Sequence, residues 1–418
     1  MNKSNTVIIG SLAVVVAALL WSFDGTFLRP SLYSLPSTLV VFLEHTLGFI
    51  VLLPFLFIYR RELKVISKKQ WGAIFWVALF GGALGTTFFT KALFLTGFVD
   101  TSVPILLQKF QPIFAITLAA IFLRERFPKH FYLYAAVALV GGYLVTFKDP
   151  FTIQKLVGTS SLIAAYALLA AFAWGSSTTF GKYSLRNINY GLLAALRFGL
   201  TVLIMLVPAW TYLGKVGEMV TTKQWQTLAI IVFTSGAMAM YLYYYGLKKI
   251  PASLSTLCEL AWPLSAVLFD YFINGNVLSW TQMLGGLALV LSVFQVTRMT
   301  RSRTIIGTVL AGKNQGDKIG AKTANLDLAL AQNLPKGLYL ATVESDGQTH
   351  RGLLYYGINS LTSKDCLEVH LLDFGGDLYG KKITVMTERY MRFPKRFATV
   401  EGLAEQVRKD LKIVDLLS

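Results

Sequence analysis

Ten apolar runs, each close to the ~20 residues an α-helix needs to cross a bilayer, follow one another between residue 7 and residue 298. Spans are expected near 7–28, 37–59, 71–90, 101–122, 131–147, 160–181, 190–213, 224–246, 251–273 and 280–297. Composition agrees, since 54% of the 418 residues are hydrophobic and only 15% are charged, against about a quarter charged in soluble domains. The first run has no small-residue cleavage site before Trp21 and is followed by further spans, so it reads as a retained helix rather than a signal peptide.

Charge divides the chain in two. Residues 1–300 hold 22 Lys+Arg against 9 Asp+Glu, and residues 301–418 hold 17 against 13, so only the second part has the charge density of a soluble domain. A net charge of +17 raises nucleic acid as a partner, but +13 of it lies in the apolar part, at the ends of the runs. Such a distribution sets orientation in a lipid bilayer, and no nucleic-acid partner is expected. Lys+Arg on alternate sides of the ten spans number 16 and 5, with Arg29 counted among the five. The positive-inside rule then places both termini and the soluble tail in the cytosol, with the spans in the cytoplasmic (inner) membrane. Two cysteines, Cys258 and Cys366, make no disulfide framework.

The apolar part is internally repeated. Trp21 and Phe27 recur as Trp174 and Phe180, and Pro54/Pro208, Trp71/Trp225 and Pro112/Pro263 follow at offsets of 151 to 154 residues. Five spans per copy is an odd number, so the second copy enters the bilayer from the opposite face, as in secondary transporters whose site lies near midplane. The expected fold is an all-α membrane domain of two inverted five-helix repeats, 1–150 and 151–300, followed by a small soluble β-barrel domain with a C-terminal helix, 301–418. With Pro112 and Pro263 in the fourth and ninth spans and Glu125 after the fourth, residues 7–297 resemble the EamA-type drug/metabolite transporters; Asn276 stands where a second such Glu would fall. The resemblance implies a carrier without naming its substrate.

Ionisable groups within spans are costly and so are functional candidates. Asp24, Glu44, His45, Lys91, Lys109, Arg197, Glu259 and Asp270 fall within or near the ends of spans, with Gln108 and Gln111 beside Lys109. Repeat alignment matches Glu44 with Arg197 and Gln108 with Glu259, so pseudo-symmetry brings each pair towards a shared cavity. Structural ion pairs or snorkelling to headgroups is the competing reading. Trp21, Trp174, Trp262 and Tyr241 would supply aromatic walls for a planar substrate, whereas Tyr243 to Tyr245, next to Lys248 and Lys249, read as an interfacial belt.

In the tail, alternating runs over Leu338 to Val343, Gly352 to Tyr356, Leu367 to Phe374 and Lys382 to Thr387 predict short strands of a barrel. Val400, Leu403, Val407, Leu411 and Val414 recur at helical spacing and predict an amphipathic helix packed on it. Gly307, Gly312, Gly316 and Gly320 precede Lys322-Thr323-Ala324-Asn325, where backbone N–H groups and neutral oxygens suit phosphate and a divalent ion. On the strand, Glu368 faces opposite to Leu367 and Val369.

Gly316 to Leu326, Leu367 to Phe374, Asp377-Leu378-Tyr379-Gly380 and Arg392 to Phe397 together resemble the riboflavin kinase family, in family order, over about 303–418. The resemblance implies ATP and Mg²⁺, with Gly316, Gly320, Lys322, Thr323 and Asn325 at the nucleotide and Thr323 and Asn325 on the metal. It makes Glu368 the base that accepts the ribityl hydroxyl proton. Lys322 replaces the family's Pro, and Tyr356 to Ser360 lacks another. The adenylyltransferase module often joined to these kinases is absent, so FMN rather than FAD is the expected product. Transporter and kinase together suggest riboflavin uptake followed by phosphorylation. The alternative is a metabolite carrier regulated by an inactive flavin- or nucleotide-sensing tail, and self-association as a homodimer stays open.

Overall fold

The computed structural model describes residues 3–96, 102–147, 149–156, 160–310, 323–332, 334–359, 364–372, 374–397 and 399–415. The chain forms two compact units, one of Met1–Glu125 with Leu133–Met299 and one of Arg126–Tyr132 with Thr300–Ser418.

Among the described residues of the first unit, nine helices are long and apolar enough to cross a membrane: Asn5–Leu32, Ser37–Ile58, Lys68–Leu93, Val103–Phe122, Ser161–Ser184, Tyr190–Leu213, Thr222–Lys249, Ala252–Ile273 and Trp280–Thr300. Lys129–Thr146, an 18-residue helix, occupies the place of the fifth expected span. Its opening Lys129-His130 dilutes an otherwise apolar segment.

The repeat is visible in local backbone chemistry. The third and eighth spans each begin with a capping box. Ser67 and Gln70 bond each other's N–H groups at 3.2 and 3.3 Å, and Thr221 and Gln224 do the same at 2.9 and 3.3 Å. A hydroxyl and an amide three residues apart thus satisfy two N–H groups that the first helical turn leaves open. Each span then passes through a π-helical segment, Val77–Leu84 and Val232–Gly236, in which carbonyls lose their usual partners. The fourth and ninth spans are both broken. Ser102–Gln108 and Gln111–Phe122 flank Lys109-Phe110, and Ala252–Cys258 and Ala261–Asn274 flank Glu259-Leu260. Pro112 and Pro263 cause this, since each lacks an N–H and its ring excludes the carbonyl four residues back. Broken helices in a bilayer are tolerated where neighbouring groups or a cavity satisfy the freed backbone.

Glu125 joins the two repeats. Its oxygens accept from the Ala252 and Ser253 N–H groups at 2.8 and 3.0 Å and from the Ser253 hydroxyl at 2.6 Å, capping the ninth span. Asn276, its counterpart in the second copy, instead donates to both oxygens of Asp270 at 2.9 and 3.0 Å.

The second unit is a six-stranded antiparallel sheet in the order β1-β6-β3-β4-β5-β2. Its strands are β1 Thr304–Thr308, β2 Ala324–Leu326, β3 Gly337–Ser345, β4 Gln348–Ile358, β5 Asp365–Leu371 and β6 Lys382–Arg392. A bridge from Leu310 to Asn325, with N···O 2.8 Å, nearly closes the sheet into a barrel. Alternate residues such as Val343, Leu354, Leu367, Val369, Ile383 and Val385 fill its interior. The C-terminal helix Val400–Asp415 lies on the outside against Leu338, Leu340 and Leu353 through Leu411 and Val414. Arg392 fixes it there, its Nε and Nη2 reaching the buried Asp410 carboxylate at 2.7 to 3.0 Å. Four strands stand where alternation predicts them, although β5 ends at Leu371 and β6 runs on to Arg392. Sequence reading missed β1, which has Gly307 within its five residues, and β2, which is three residues long.

Candidate functional site

The breaks in the fourth and ninth spans bring polar side chains together. Gln111 Nε2 donates to Glu259 Oε2 at 2.8 Å, and Gln108 Nε2 donates to Gln111 Oε1 at 3.0 Å, so the matched pair Gln108 and Glu259 is joined through Gln111. Lys109 places its ammonium 4.4 Å from the ring centre of Trp262, a cation–π contact. Trp262 also lies against the first span at Gly25, where an added Cβ would come within 3.3 Å of the indole.

Aromatic groups surround this cluster unevenly. Trp21 packs on Tyr243 with ring centres 5.3 Å apart and donates to the Ser235 carbonyl at 2.9 Å. Tyr243 is buried and bonded to Thr178 at 2.8 Å, beside Glu259, so it is part of the interior and not of an interfacial belt. Trp174 packs on Phe89 at 5.5 Å and against Gly85. The neighbouring Gly175 lies against the Gln111 carbonyl, an approach that leaves no room for a Cβ. Tyr241 belongs elsewhere, in an aromatic group with Phe55, Tyr190 and, through Tyr190, Tyr245. It sits two residues before Tyr243 on one helix, and that spacing turns it to another face.

Glu44 and Arg197, matched by repeat position, do not pair. Glu44 binds Arg29 at 2.9 Å, and the same guanidinium binds Asp24 at 2.6 Å. Arg29, expected in a loop, lies inside the first long helix. Asp24–Leu28 forms a π-helical turn, and its five-residue repeat brings residues 24 and 29 to one side. The signal available in the sequence was that five-residue spacing of opposite charges at the end of an apolar run. Arg197 donates to the Gly81 carbonyl at 2.7 Å, to Tyr244 at 3.2 Å and to Met240 Sδ at 2.8 Å. The π segments Val77–Leu84 and Val232–Gly236 therefore each offer a carbonyl to a side chain from another span, Gly81 to Arg197 and Ser235 to Trp21. His45 donates from Nδ1 to the Val41 carbonyl, 2.8 Å away, and packs on Phe198.

In the barrel, β5 alternates as expected, with Leu367, Val369 and Leu371 inward and Cys366, Glu368 and His370 on the other face. Glu368 stands directly opposite Asn325 of β2 on one side and Tyr355 of β4 on the other. Side chains so opposed lie about 5 Å apart at Cβ. Asn359 Nδ2 donates to Glu368 Oε1 at 3.1 Å, and the Asn359 N–H is held by the Lys364 carbonyl at 2.8 Å. Thr323 immediately precedes β2 and Asn325. Burial pushes the Tyr355 phenol up to about 12. Burial and the neighbouring Glu368 also raise the Cys366 thiol, so both stay protonated beside the carboxylate. Gly316, Gly320 and Lys322 lie outside the described residues. Asn359 was named in the sequence only as part of a departing segment; its contact with Glu368 depends on the β4–β5 pairing.

Residues 8–147 and 161–298 each match the EamA-like transporter family, so the match falls on the two repeats separately. The chain belongs to the EamA-like transporter family. It is an integral membrane protein, and residues 299–417 match the flavokinase family, described as riboflavin kinase. Over 297 residues it is 42% identical to riboflavin transporter ImpX of Fusobacterium nucleatum, covering 69% of this chain and 98% of that protein. The EamA part also shares its fold with a solved structure described only as "Crystal structure of protein", at 18% identity and TM-score 0.55, covering 71% of this chain and 98% of the other.

The chain is also 34% identical over 142 residues to a bifunctional riboflavin kinase/FMN adenylyltransferase of Pseudomonas fluorescens, covering 33% of this chain and 46% of that enzyme. It is 35% identical over 113 residues to the RNA-binding riboflavin kinase RibR of Bacillus subtilis, covering 26% and 49%. The chain thus spans about half the length of these kinase relatives. The tail is a riboflavin kinase domain, of a family that uses ATP and a divalent metal. Among the described residues no group of three His, Cys, Asp or Glu could hold a metal. The donors present, the Thr323 hydroxyl and the Asn325 amide, fit an ion held mainly by phosphate and water.

Proposed function

We propose that the membrane domain carries riboflavin into the cytosol and that the tail phosphorylates it there to FMN. One observation carries this reading: a single chain matches nearly the whole length of a riboflavin transporter and adds a flavokinase domain. The 16-to-5 division of Lys+Arg supports a cytosolic tail and an inner-membrane location. Glu368 accepts the proton of the ribityl 5′-hydroxyl as that oxygen attacks the γ-phosphorus of ATP, while the bond to the ADP oxygen breaks. Asn359 donates to one oxygen of the carboxylate and helps to hold it in place. Thr323 and Asn325 would hold the divalent ion together with the nucleotide phosphates, and that ion, when bound, would supply neutralisation of charge on the transferring group.

Riboflavin is neutral and can leave by the route it entered, whereas the phosphate of FMN adds up to two negative charges, which the membrane interior makes costly to carry back. Phosphorylation then drives accumulation without a coupling ion. In vesicles with the tail facing an ATP-loaded lumen, labelled riboflavin accumulates above its outside concentration, and with Glu368→Gln it stops at equilibration. Failure of riboflavin to enter would give the carrier another substrate. Concentrative uptake without ATP, abolished by an uncoupler, would make it ion-driven.

A further inference from the structure

We propose that the paired helix breaks read the pyrimidine edge of the flavin ring, with Glu259 accepting a hydrogen bond from N3–H. The inference rests on riboflavin being the transported molecule and names the groups that select it. That edge presents an acceptor, a donor and an acceptor in a row: the C2 carbonyl, N3–H and the C4 carbonyl. Its complement is donor, acceptor, donor.

The breaks supply that set. Glu259 Oε2 is taken by Gln111, while Oε1 is buried and receives no hydrogen bond of good geometry, with the Tyr243 and Ser255 hydroxyls lying beside the carboxylate. A carboxylate oxygen left so is costly and calls for a partner from outside the chain, water or ligand. Glu125, at the start of the same span, needs none: its two oxygens together take three hydrogen bonds. The Tyr243 hydroxyl, beside Glu259, is engaged with Thr178. Donors flank the open oxygen. The amide nitrogens of Gln111 and Gln108 each use one N–H in the chain of bonds to Glu259 and keep a second. Lys109 has its ammonium over the face of Trp262. The repeat explains why the reader is one-sided. Position 108 carries an amide and position 259 a carboxylate, so the pseudo-symmetric pair offers donors from one copy and the acceptor from the other.

The test uses the full-length chain in vesicles without ATP, so that only entry is measured, and asks how well flavin analogues compete with labelled riboflavin. 3-Methylriboflavin, in which N3–H is replaced by a methyl group, competes at least tenfold more weakly than riboflavin. An analogue altered at the 8-position, on the opposite edge, competes within threefold. In Glu259→Ala the preference for riboflavin over 3-methylriboflavin falls to threefold or less. Should that variant fail to fold, the analogue comparison on the parent protein decides alone. Equal competition by 3-methylriboflavin on a protein that does admit riboflavin overturns the edge assignment and leaves the carrier intact. Riboflavin failing to enter removes the carrier reading and this inference with it.

Discussion

Arg29→Met isolates the energetic role of the ion triad in the first two spans. The guanidinium lies 2.6 Å from Asp24 and 2.9 Å from Glu44, with side chains 28%, 6% and 11% exposed. Removing it leaves two carboxylates close together, with little water and no countercharge, whereas removing either carboxylate leaves one ion pair standing. Breaking a buried pair from one side costs about 3–5 kcal/mol. The partial exposure of Arg29 argues for the lower end, about 3 kcal/mol, which at 2–4 °C per kcal/mol corresponds to a loss of roughly 6–12 °C in Tm. Asp24→Asn, which keeps the pair with Glu44, costs about 1 kcal/mol. The triple replacement Arg29→Met, Asp24→Asn and Glu44→Gln returns to within about 1 kcal/mol of the parent, because no uncompensated charge remains. Cys258, 1% exposed within the ninth span, is a built-in reporter. In a Cys366→Ser background, a thiol-reactive dye reads unfolding of the membrane domain on heating in detergent. An Arg29→Met protein that melts with the parent, or a triple variant less stable than the single one, would refute the reasoning.

Three further outcomes concern the tail. Glu368→Gln lowers riboflavin phosphorylation by about 10²–10⁴, the range for a lost general base, while flavin binding by fluorescence quenching is retained; a rate within threefold of the parent rejects that role. Asn325→Ala raises the Mg-ATP concentration needed for half-maximal rate and leaves flavin binding near that of the parent, and equal loss of both would mean the strand pair serves packing alone. Cys366 is alkylated at pH 8.5 at least tenfold more slowly in the native chain than in urea, since its thiol is raised by burial and by Glu368. As the folded value lies above the ordinary one of about 8.5, the stability this group contributes is present below that pH and is lost as pH climbs above it. Equal labelling rates would contradict the burial.

The sequence by itself determined the place of the nine spans seen among the described residues, the repeat, the character of the tail and the strand that carries Glu368; the remaining expected span is the shorter helix Lys129–Thr146. These properties are written in local periodicity and composition: a bilayer demands ~20 apolar residues per helix, and a half-buried strand alternates. Even the helix breaks were marked, by Pro112 and Pro263. Only the tertiary structure decided which polar groups meet. Glu44 and Arg197 correspond by repeat position yet find other partners, because symmetry relates positions while contacts depend on where each helix is over- or underwound. The π turn at Asp24–Leu28 carries Arg29 into the triad, and the one at Val77–Leu84 frees the Gly81 carbonyl for Arg197. Tyr241 and Tyr243, alike in sequence and two residues apart, face different surroundings for the same geometric reason. In the barrel, Asn325 and Asn359 reach Glu368 through strand pairings that join segments 43 and 9 residues apart. Closure of the sheet fixes those neighbours, and no local pattern encodes it.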